Sequence, residues 1–147
     1  DNAHSKERLQ GYRQALEKAG LSYEENLVVE GDFKYWSGLN AVRHILKMED
    51  RPTAIFCAND QMAIGAMKGI KEQGLRIPED ISITGFDDLD VSSYCDPSLT
   101  TIRQPAVEMG EKAAELLFRI IDGRQPSFSE YILPYEIIIR DSTSTLK

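Results

Sequence analysis

The sequence predicts an α/β fold in which helices flank a parallel, doubly wound sheet. Segments with helical periodicity alternate with short strand-like segments along the 147 residues, and this alternation is typical of parallel sheets. The run 53–58 is short and continuously apolar, as in a strand that is buried on both faces. Neither an internal repeat nor a low-complexity tract is present, and the length suits one ordinary domain.

Capping residues and apolar periodicity locate the elements in order. Helices are predicted between the expected cap Ser5 and Gly20, and over 37–48, 61–73 and 105–122. Strands are predicted over 26–30, 53–58, 81–84, 99–103 and 131–140, the last of them interrupted at Pro134. The glycines at the ends of three helices are the expected stops: Gly20, Gly74 and Gly123. Pro52 ends the remaining helix, and Pro105 suits the first turn of the last one.

Composition and missing motifs argue against several classes of protein. The net charge of −7 disfavours nucleic-acid binding by this chain alone, and no apolar run is long enough to cross a membrane. Cys57, Cys95, His4 and His44 show no metal-ligand spacing, so neither a metal nor a cofactor is expected. Cys57 is expected to be a core thiol, and the lack of a disulfide pattern favours a reducing, cytoplasmic compartment.

Polar side chains follow three of the predicted strands at the points where those strands end. Asn59 and Asp60 follow the second strand, Asp87 follows the third, and Gln104 follows the fourth. Because the carboxyl ends of parallel strands meet at one edge of a sheet, we expect these side chains to converge there. Asn59 and Asp60 are also the expected caps of the third helix, so either residue could have that role alone.

Arg8 and Phe33 complete the candidate site. Arg8 lies near the amino end of the first helix, and Phe33 has Tyr35 and Trp36 beside it. Amide, carboxylate and guanidinium groups suit vicinal hydroxyls or an amide-bearing ring, and an aromatic ring could cover a sugar face or stack on a base. Arg8 could instead be a surface charge and Phe33 a core residue. The convergence of five such positions favours a site that binds one small polar metabolite.

An enzyme is the least favoured alternative. The nucleophile-elbow, P-loop and dinucleotide-binding motifs are missing. Asp87 and Asp88 could form an acid–base or metal pair, but adjacent residues leaving a strand point in opposite directions. The other parts of a catalytic site are not in sight, so no catalytic residue is predicted.

Five motifs resemble those of a known family over nearly the whole chain. They are S-x-x-R-x-x-G-Y-x-x-A-L at 5–16, P-T-A at 52–54, A-N-D-x-M-A-x-G at 58–65, G-x-x-I-P-x-D-I-S-I-x-G-F-D-D at 74–88 and P-x-L-T-T-I-R-Q-P at 97–105. Together they resemble the lactose/galactose repressor (LacI/GalR) family of bacterial transcription regulators. The resemblance implies a periplasmic-binding-protein-like fold of type I, incomplete in this chain, in which two α/β subdomains close over an effector.

The resemblance also implies roles for individual residues. Arg8, Asn59 and Asp87 look like polar ligands of the effector. Phe33 matches an aromatic residue that packs on the effector, and Gln104 looks like a cleft or hinge residue. Operator DNA would be a partner only through a helix-turn-helix headpiece that this chain does not contain, and no membrane partner is expected.

A division of the chain follows from the same resemblance. Residues 1–103 resemble part of the carboxyl-terminal subdomain, 104–128 the crossover helix of the amino-terminal subdomain, and 129–147 the return strand of the carboxyl-terminal subdomain and a tail. A helix separated from its own sheet must pack elsewhere or stay loose.

The third helix predicts a homodimer. On a helical wheel its apolar stripe, which suffices to cover the sheet, consists of Met62, Ala63, Ala66, Met67 and Ile70. Ile64 falls outside the stripe and is either a single exposed aliphatic or part of a second contact surface. The resemblance favours the contact surface, since regulators of this family pair through this subdomain. The predicted interface residues are Ile64, Met67, Tyr94 and Cys95.

The rival interpretation is a periplasmic sugar-binding protein that serves a transporter. It would share the fold and the segments around Asn59 and Asp87. The segments 77–82 and 99–105 resemble the repressor branch and favour a regulator. The identity of the effector stays open among pentoses, hexoses, sugar phosphates and purines.

Overall fold

The computed structural model describes residues 3–124 and 131–145. The helices are α1 (Ala3–Lys18), α2 (Tyr35–Ile45), α3 (Asp60–Glu72), α4 (Asp90–Tyr94) and α5 (Ala106–Ile121), with a 3-10 turn at Glu25–Leu27. The strands are β1 (Ala54–Phe56), β2 (Ser82–Thr84), β3 (Thr101–Arg103) and β4 (Glu136–Ile138). The alternation of helices and strands confirms the predicted α/β class.

The four strands form two pairs that differ in direction. β1 and β2 are parallel, with Ile55 opposite Ile83, and two isolated parallel bridges connect the β2 side to β3. β4 runs antiparallel to β3, and Arg103 donates to the Glu136 carboxylate across that pair at 3.2 Å. The prediction of a parallel sheet is therefore correct for β1 to β3 and wrong for β4, because the chain returns beside β3 in the opposite direction.

The core lies where α3 packs on β2 and on the segment that enters β3, with α2 packed against α3. Ala63, Ile70, Ile83 and Leu99 have no exposed surface. The whole predicted stripe of α3 is buried, which confirms the face that covers the sheet. Cys57 lies in the same core, and burial raises the pKa of its thiol to about 12, as expected of an unreactive core cysteine.

Helices α2 and α3 cross with their backbones in contact. A methyl group placed on Gly38 would overlap the carbonyl oxygen of Met62, and one placed on Gly65 would overlap that of Tyr35. On Gly69 it would overlap the side chain of Val42. Only glycine allows this approach, so three positions without side chains fix how α3 lies on α2.

Residues 140–144 insert between β2 and the start of β3. The Ser142 carbonyl accepts from the Ile83 N–H at 2.8 Å, and its hydroxyl donates to the Ile83 carbonyl at 2.7 Å. The same hydroxyl accepts from the Thr100 N–H at 2.8 Å. Ser142 is completely buried, so this serine replaces a stretch of direct pairing between the two strands.

Several predicted boundaries need correction. No strand forms over 26–30, because its first two residues belong to the 3-10 turn. Val28 is extended but pairs with none of the described strands. Strand β1 is not buried on both faces, since Phe56 is 41% exposed where no described element covers it. Ser5 does not cap α1, which already includes Ala3. The loop expected before Pro97 contains α4.

The three predicted glycine stops are confirmed, and the last helix is exposed. Gly20, Gly74 and Gly123 take φ values of +70°, +72° and +75°, the left-handed conformation that ends helices. No residue of α5 is buried, and its large apolar side chains face solvent. The division into 1–103, 104–128 and 129–147 stays a prediction, and 125–130, 146 and 147 lie outside the described residues. Among the helices described, none has the length and apolarity to cross a membrane.

The helix crossing generates a test of stability. Replacing Gly65 by alanine is expected to lower the free energy of unfolding by about 2 kcal/mol, because the added methyl group forces the two helices apart. Urea unfolding followed by circular dichroism measures the change. Gly11→Ala is the matched control, since no atom lies within 4 Å of the added methyl group and helix propensity favours alanine by up to about 1 kcal/mol. Equal effects of the two substitutions would contradict the close crossing.

Candidate functional site

The loop after β2 adopts an unusual backbone conformation. Asp87 and Asp88 have φ values of +110° and +54°, which are uncommon for residues other than glycine. The Gly85 N–H donates to the Thr100 carbonyl and the Asp87 N–H to the Ile102 carbonyl, each at 2.9 Å. The loop is thereby attached to β3, and it presents two adjacent carboxylates in different directions.

Arg8, Asp87 and Gln104 converge as predicted. The Gln104 amide donates to Oδ1 of Asp87 at 2.7 Å, and Nη2 of Arg8 lies 3.7 Å from the same oxygen. Arg8 also donates to the Ala58 carbonyl, and its guanidinium carbon lies 3.9 Å from the centre of the Phe86 ring. Its side chain is only 18% exposed, so Arg8 is not an ordinary surface charge.

The Asp87 carboxylate keeps capacity for a further partner. Burial raises the pKa of Asp87, and the opposing effects of Arg8 and the Gln104 hydrogen bond do not cancel that rise. Within the described part of the chain, the hydrogen bond to this carboxylate reaches Oδ1 and leaves Oδ2 as an acceptor. A partly desolvated carboxylate with an open oxygen suits a ligand that donates hydrogen bonds, such as a hydroxyl.

Asn59 supports the site more than it faces it. Its Oδ1 accepts from the Met62 N–H at 2.9 Å, which makes Asn59 the amino-terminal cap of α3. Its Nδ2 donates to the Phe33 carbonyl at 2.9 Å and holds Phe33 at a φ of +65°. Because one of the two amide hydrogens bonds to Phe33, a single amide hydrogen remains for a ligand. Asn59 is 8% exposed. Phe33 lies 5.9 Å from the Arg8 guanidinium and joins the cluster through its ring.

Asp88 serves a separate ion-pair network. It accepts from Arg103 at 2.7 Å and from Arg140 at 2.6 Å, and Arg140 also donates to the Leu99 carbonyl at 2.8 Å. Burial alone would raise the pKa of Asp88, but the hydrogen bonds and charges of Arg140 and Arg103 outweigh it and lower that pKa. The expectation that Asp87 and Asp88 point to different places is confirmed.

Two functional features escaped sequence reasoning. The sequence leaves Asp60 open as a converging polar residue or a helix cap, whereas the structure buries it completely and has it accept hydrogen bonds from Leu89, Ser92 and Thr101. The contact of Arg140 with Asp88 joins positions that are 52 residues apart, and no local pattern indicates it. The sequence offers one signal for the role of Asp60: an aspartate beside the cap Asn59, with the hydroxyl residues Ser92 and Thr101 on later elements.

The residues of the predicted dimer contact differ in their exposure. Tyr94 is 73% exposed and Ile64 is half-buried. Trp36, three residues after Phe33, is 68% exposed. Cys95 is half-buried, and its thiol donates to the Pro97 carbonyl at 3.2 Å. Met67 is 4% exposed and packs in the core, so it belongs to the face of α3 that covers the sheet. Ile64, Tyr94 and Cys95 remain the predicted contact residues.

The cluster lies at an open edge of the molecule. A shallow surface depression of about 410 Å³ is lined by Lys71, Gly74, Leu75, Arg76, Ile77, Glu79, Asp96 and Pro97. A second one, of about 420 Å³, is lined by Arg13, Glu17, Leu21 and Tyr23. Neither depression contains a residue of the cluster. Across 3–124 and 131–145, no group of three histidine, cysteine or acidic side chains is arranged to hold a metal ion. The cluster is suited to be one wall of a cleft.

Comparisons with known proteins place the chain among regulators. The family described as a periplasmic binding protein-like domain matches residues 1–143. The chain is 43% identical to the HTH-type transcriptional repressor CytR of Escherichia coli (strain K12), over 95% of this chain and 41% of CytR. The chain thus spans less than half the length of this relative.

Solved structures agree. The transcriptional regulator CelR in complex with cellobiose superimposes with a TM-score of 0.88 at 39% identity, covering 92% of this chain and 42% of CelR. A dimeric Lac repressor superimposes with a TM-score of 0.87 at 33% identity, covering 97% of this chain and 51% of that one.

The two adjacent carboxylates generate a paired test. Asp88→Asn is expected to lower the free energy of unfolding at pH 7 by about 3 kcal/mol, because it breaks a buried ion pair. Asp87→Asn is expected to leave that free energy unchanged or to raise it, because the fold disfavours the charged form of Asp87. Urea unfolding of both variants at several pH values measures the effects.

The pH dependence has opposite signs at the two positions. The stabilisation from Asp88 is complete above its unfolded pKa of about 3.9 and is lost as the pH falls through its lower folded pKa. The cost of ionised Asp87 is complete above its raised folded pKa and disappears below about 3.9. A loss of similar size in both variants at pH 7 would contradict these assignments.

Proposed function

Since this chain belongs to the lactose/galactose repressor (LacI/GalR) family of transcriptional regulators, we propose that it is the effector-sensing and dimerisation part of a bacterial repressor. It binds one small polar metabolite, a sugar or a related compound, and carries out no covalent chemistry. The observation that carries this proposal is the convergence of Arg8, Asp87 and Gln104 at one edge of the sheet, with Phe33 beside them.

The cluster offers complementary chemistry to a hydroxyl-rich ligand. Oδ2 of Asp87 accepts from a ligand hydroxyl, while Arg8 and one amide hydrogen of Asn59 donate. Arg8 and Asp87 balance each other in charge, which favours a neutral ligand. The relative solved with cellobiose supports a sugar in particular.

The same geometry suggests how binding is transmitted. Gln104, which holds Asp87, lies between β3 and α5, so a ligand on Asp87 also acts on the start of α5. A ligand that fits one arrangement of this junction better than another shifts the population toward that arrangement. In the intact repressor this shift changes operator affinity through a DNA-binding headpiece, and the protein acts in the cytoplasm, where bacterial DNA lies.

The regulator is favoured over a periplasmic solute-binding protein and over an enzyme. By name, CytR and the Lac repressor are repressors and CelR is a transcriptional regulator. Asp88, the second carboxylate that an enzyme would use with Asp87, is occupied by Arg103 and Arg140.

Effector binding is tested on the intact repressor with a thermal-shift panel of free and phosphorylated pentoses and hexoses, nucleosides and nucleobases. A neutral hydroxyl-bearing compound is expected to raise the melting temperature, since saturation at 100 times Kd stabilises by about 2.7 kcal/mol. Asp87→Ala is expected to weaken binding of that compound roughly 100-fold in titration calorimetry, because buried partners are left unpaired.

His44→Ala is the control for this experiment, since His44 is exposed on α2 away from the cluster. It should bind like the wild type. Unchanged affinity in Arg8→Ala, Asn59→Ala and Asp87→Ala alike would refute the site, and turnover of any compound in the panel would favour an enzyme.

The proposed homodimer uses the surface of Ile64, Tyr94 and Cys95. Tyr94 is 73% exposed at the end of α4, and Ile64 lies off the buried stripe of α3. A two-fold contact brings the same patch of each protomer together, so a small apolar surface is used twice. The relative solved as a dimer supports this state.

Self-association is tested by light scattering after size exclusion at micromolar concentration. Ile64→Asp is expected to convert the dimer into a monomer, because two buried carboxylates would face each other across the axis. Leu21→Asp is the matched control, since Leu21 is a 60% exposed aliphatic outside this surface, and it should stay dimeric. A dimer unaffected by Ile64→Asp, or a monomeric wild type, would count against the surface.

A further inference from the structure

A completely buried aspartate lies next to the site without facing it. Asp60 begins α3 and has no exposed surface. Its Oδ2 accepts from the Leu89 N–H at 2.8 Å and from the Ser92 hydroxyl at 2.6 Å, and its Oδ1 accepts from the Thr101 hydroxyl at 2.5 Å. A buried carboxylate is costly unless its lone pairs are satisfied, and these three neutral donors satisfy it.

The hydrogen bonds of Asp60 enclose the strained loop. Its own N–H donates to the Phe86 carbonyl at 2.8 Å, and its carboxylate holds the Leu89 N–H. Asp87 and Asp88, the two residues of this loop with positive φ, lie between these anchors. Positive φ persists in such residues only where the surroundings determine it, and Asp60 fixes both ends of the segment.

Asp60 also fixes the strand that carries the partner of Asp87. Thr101 opens β3, is 1% exposed, and donates to Asp60. Three residues later Gln104 donates to Asp87. A methyl group on Gly85 would overlap Oδ1 of Asp60, so the glycine before the loop leaves the space that the carboxylate occupies. One side chain therefore joins α3, the loop and β3.

We propose that Asp60 is a positioning residue of the effector site, holding the 86–89 loop and β3 so that Asp87 and Gln104 meet. The inference rests on the proposed function for the meaning of the site. Its physical content, that this carboxylate sets the conformation of the loop, stands independently of the identity of any effector.

The test is amide hydrogen exchange on the intact repressor, read by mass spectrometry on peptides that cover 85–93 and 62–72. Asp60→Asn and Thr101→Val are expected to accelerate exchange over 85–93 at least about tenfold, with little change over 62–72, because a buried hydrogen bond to the Asp60 carboxyl group is lost. Thr101→Ser keeps the hydroxyl and should restore protection. In a crystal structure of Thr101→Val, the 2.7 Å contact of Gln104 with Asp87 should open.

Val42→Ala is the matched control, since Val42 is buried against Gly69 on the far side of α3 and does not touch the loop. If Val42→Ala lowers the melting temperature as much as Thr101→Val does, it should still not accelerate exchange selectively over 85–93. Unchanged protection in Thr101→Val, or equal acceleration in Val42→Ala, would overturn the proposal. If Asp60→Asn does not fold, the Thr101 pair decides. Failure of every metabolite to bind would sink the proposed function and leave this exchange result unaffected.

Discussion

The close crossing of α2 and α3 is the constraint on which the site depends. Because Gly38 and Gly65 carry no side chains, the two helix backbones touch, and the amino end of α3 has one position relative to the start of α2. Asn59 and Asp60 lie at that end. The first holds the segment before α2 through Phe33, and the second holds the loop after β2 and the start of β3. The packing of α2 on α3 therefore determines where the polar side chains around Asp87 lie.

The local features of the fold and the edge at which the strands end could be predicted from the sequence, whereas most hydrogen bonds between distant segments could not. Helix stops at Gly74 and Gly123, the cap at Asn59 and the buried stripe of α3 follow from residue types within one or two turns. The convergence of Asp87 with Gln104 followed from the rule that parallel strands end at one edge.

What failed depended on partners distant in sequence. The strand expected over 26–30 has suitable residues, but a strand needs a neighbour, and none of the described strands provides one. Met67 was expected both in the stripe of α3 that covers the sheet and in the dimer interface, and its burial agrees only with the stripe. The roles of Asp60 and Arg140 depend on hydrogen bonds between segments that only folding brings together.

The insertion of Ser142 has a consequence for the order of synthesis. The backbone groups of Ile83 and Thr100 that it satisfies are made 59 and 42 residues earlier in the chain. As the polypeptide leaves the ribosome, these groups remain open until residue 142 emerges, so the sheet cannot close co-translationally before then. Chains that end before residue 142 would leave these backbone groups of Ile83 and Thr100 unpaired, and exposed strand edges of this kind favour aggregation.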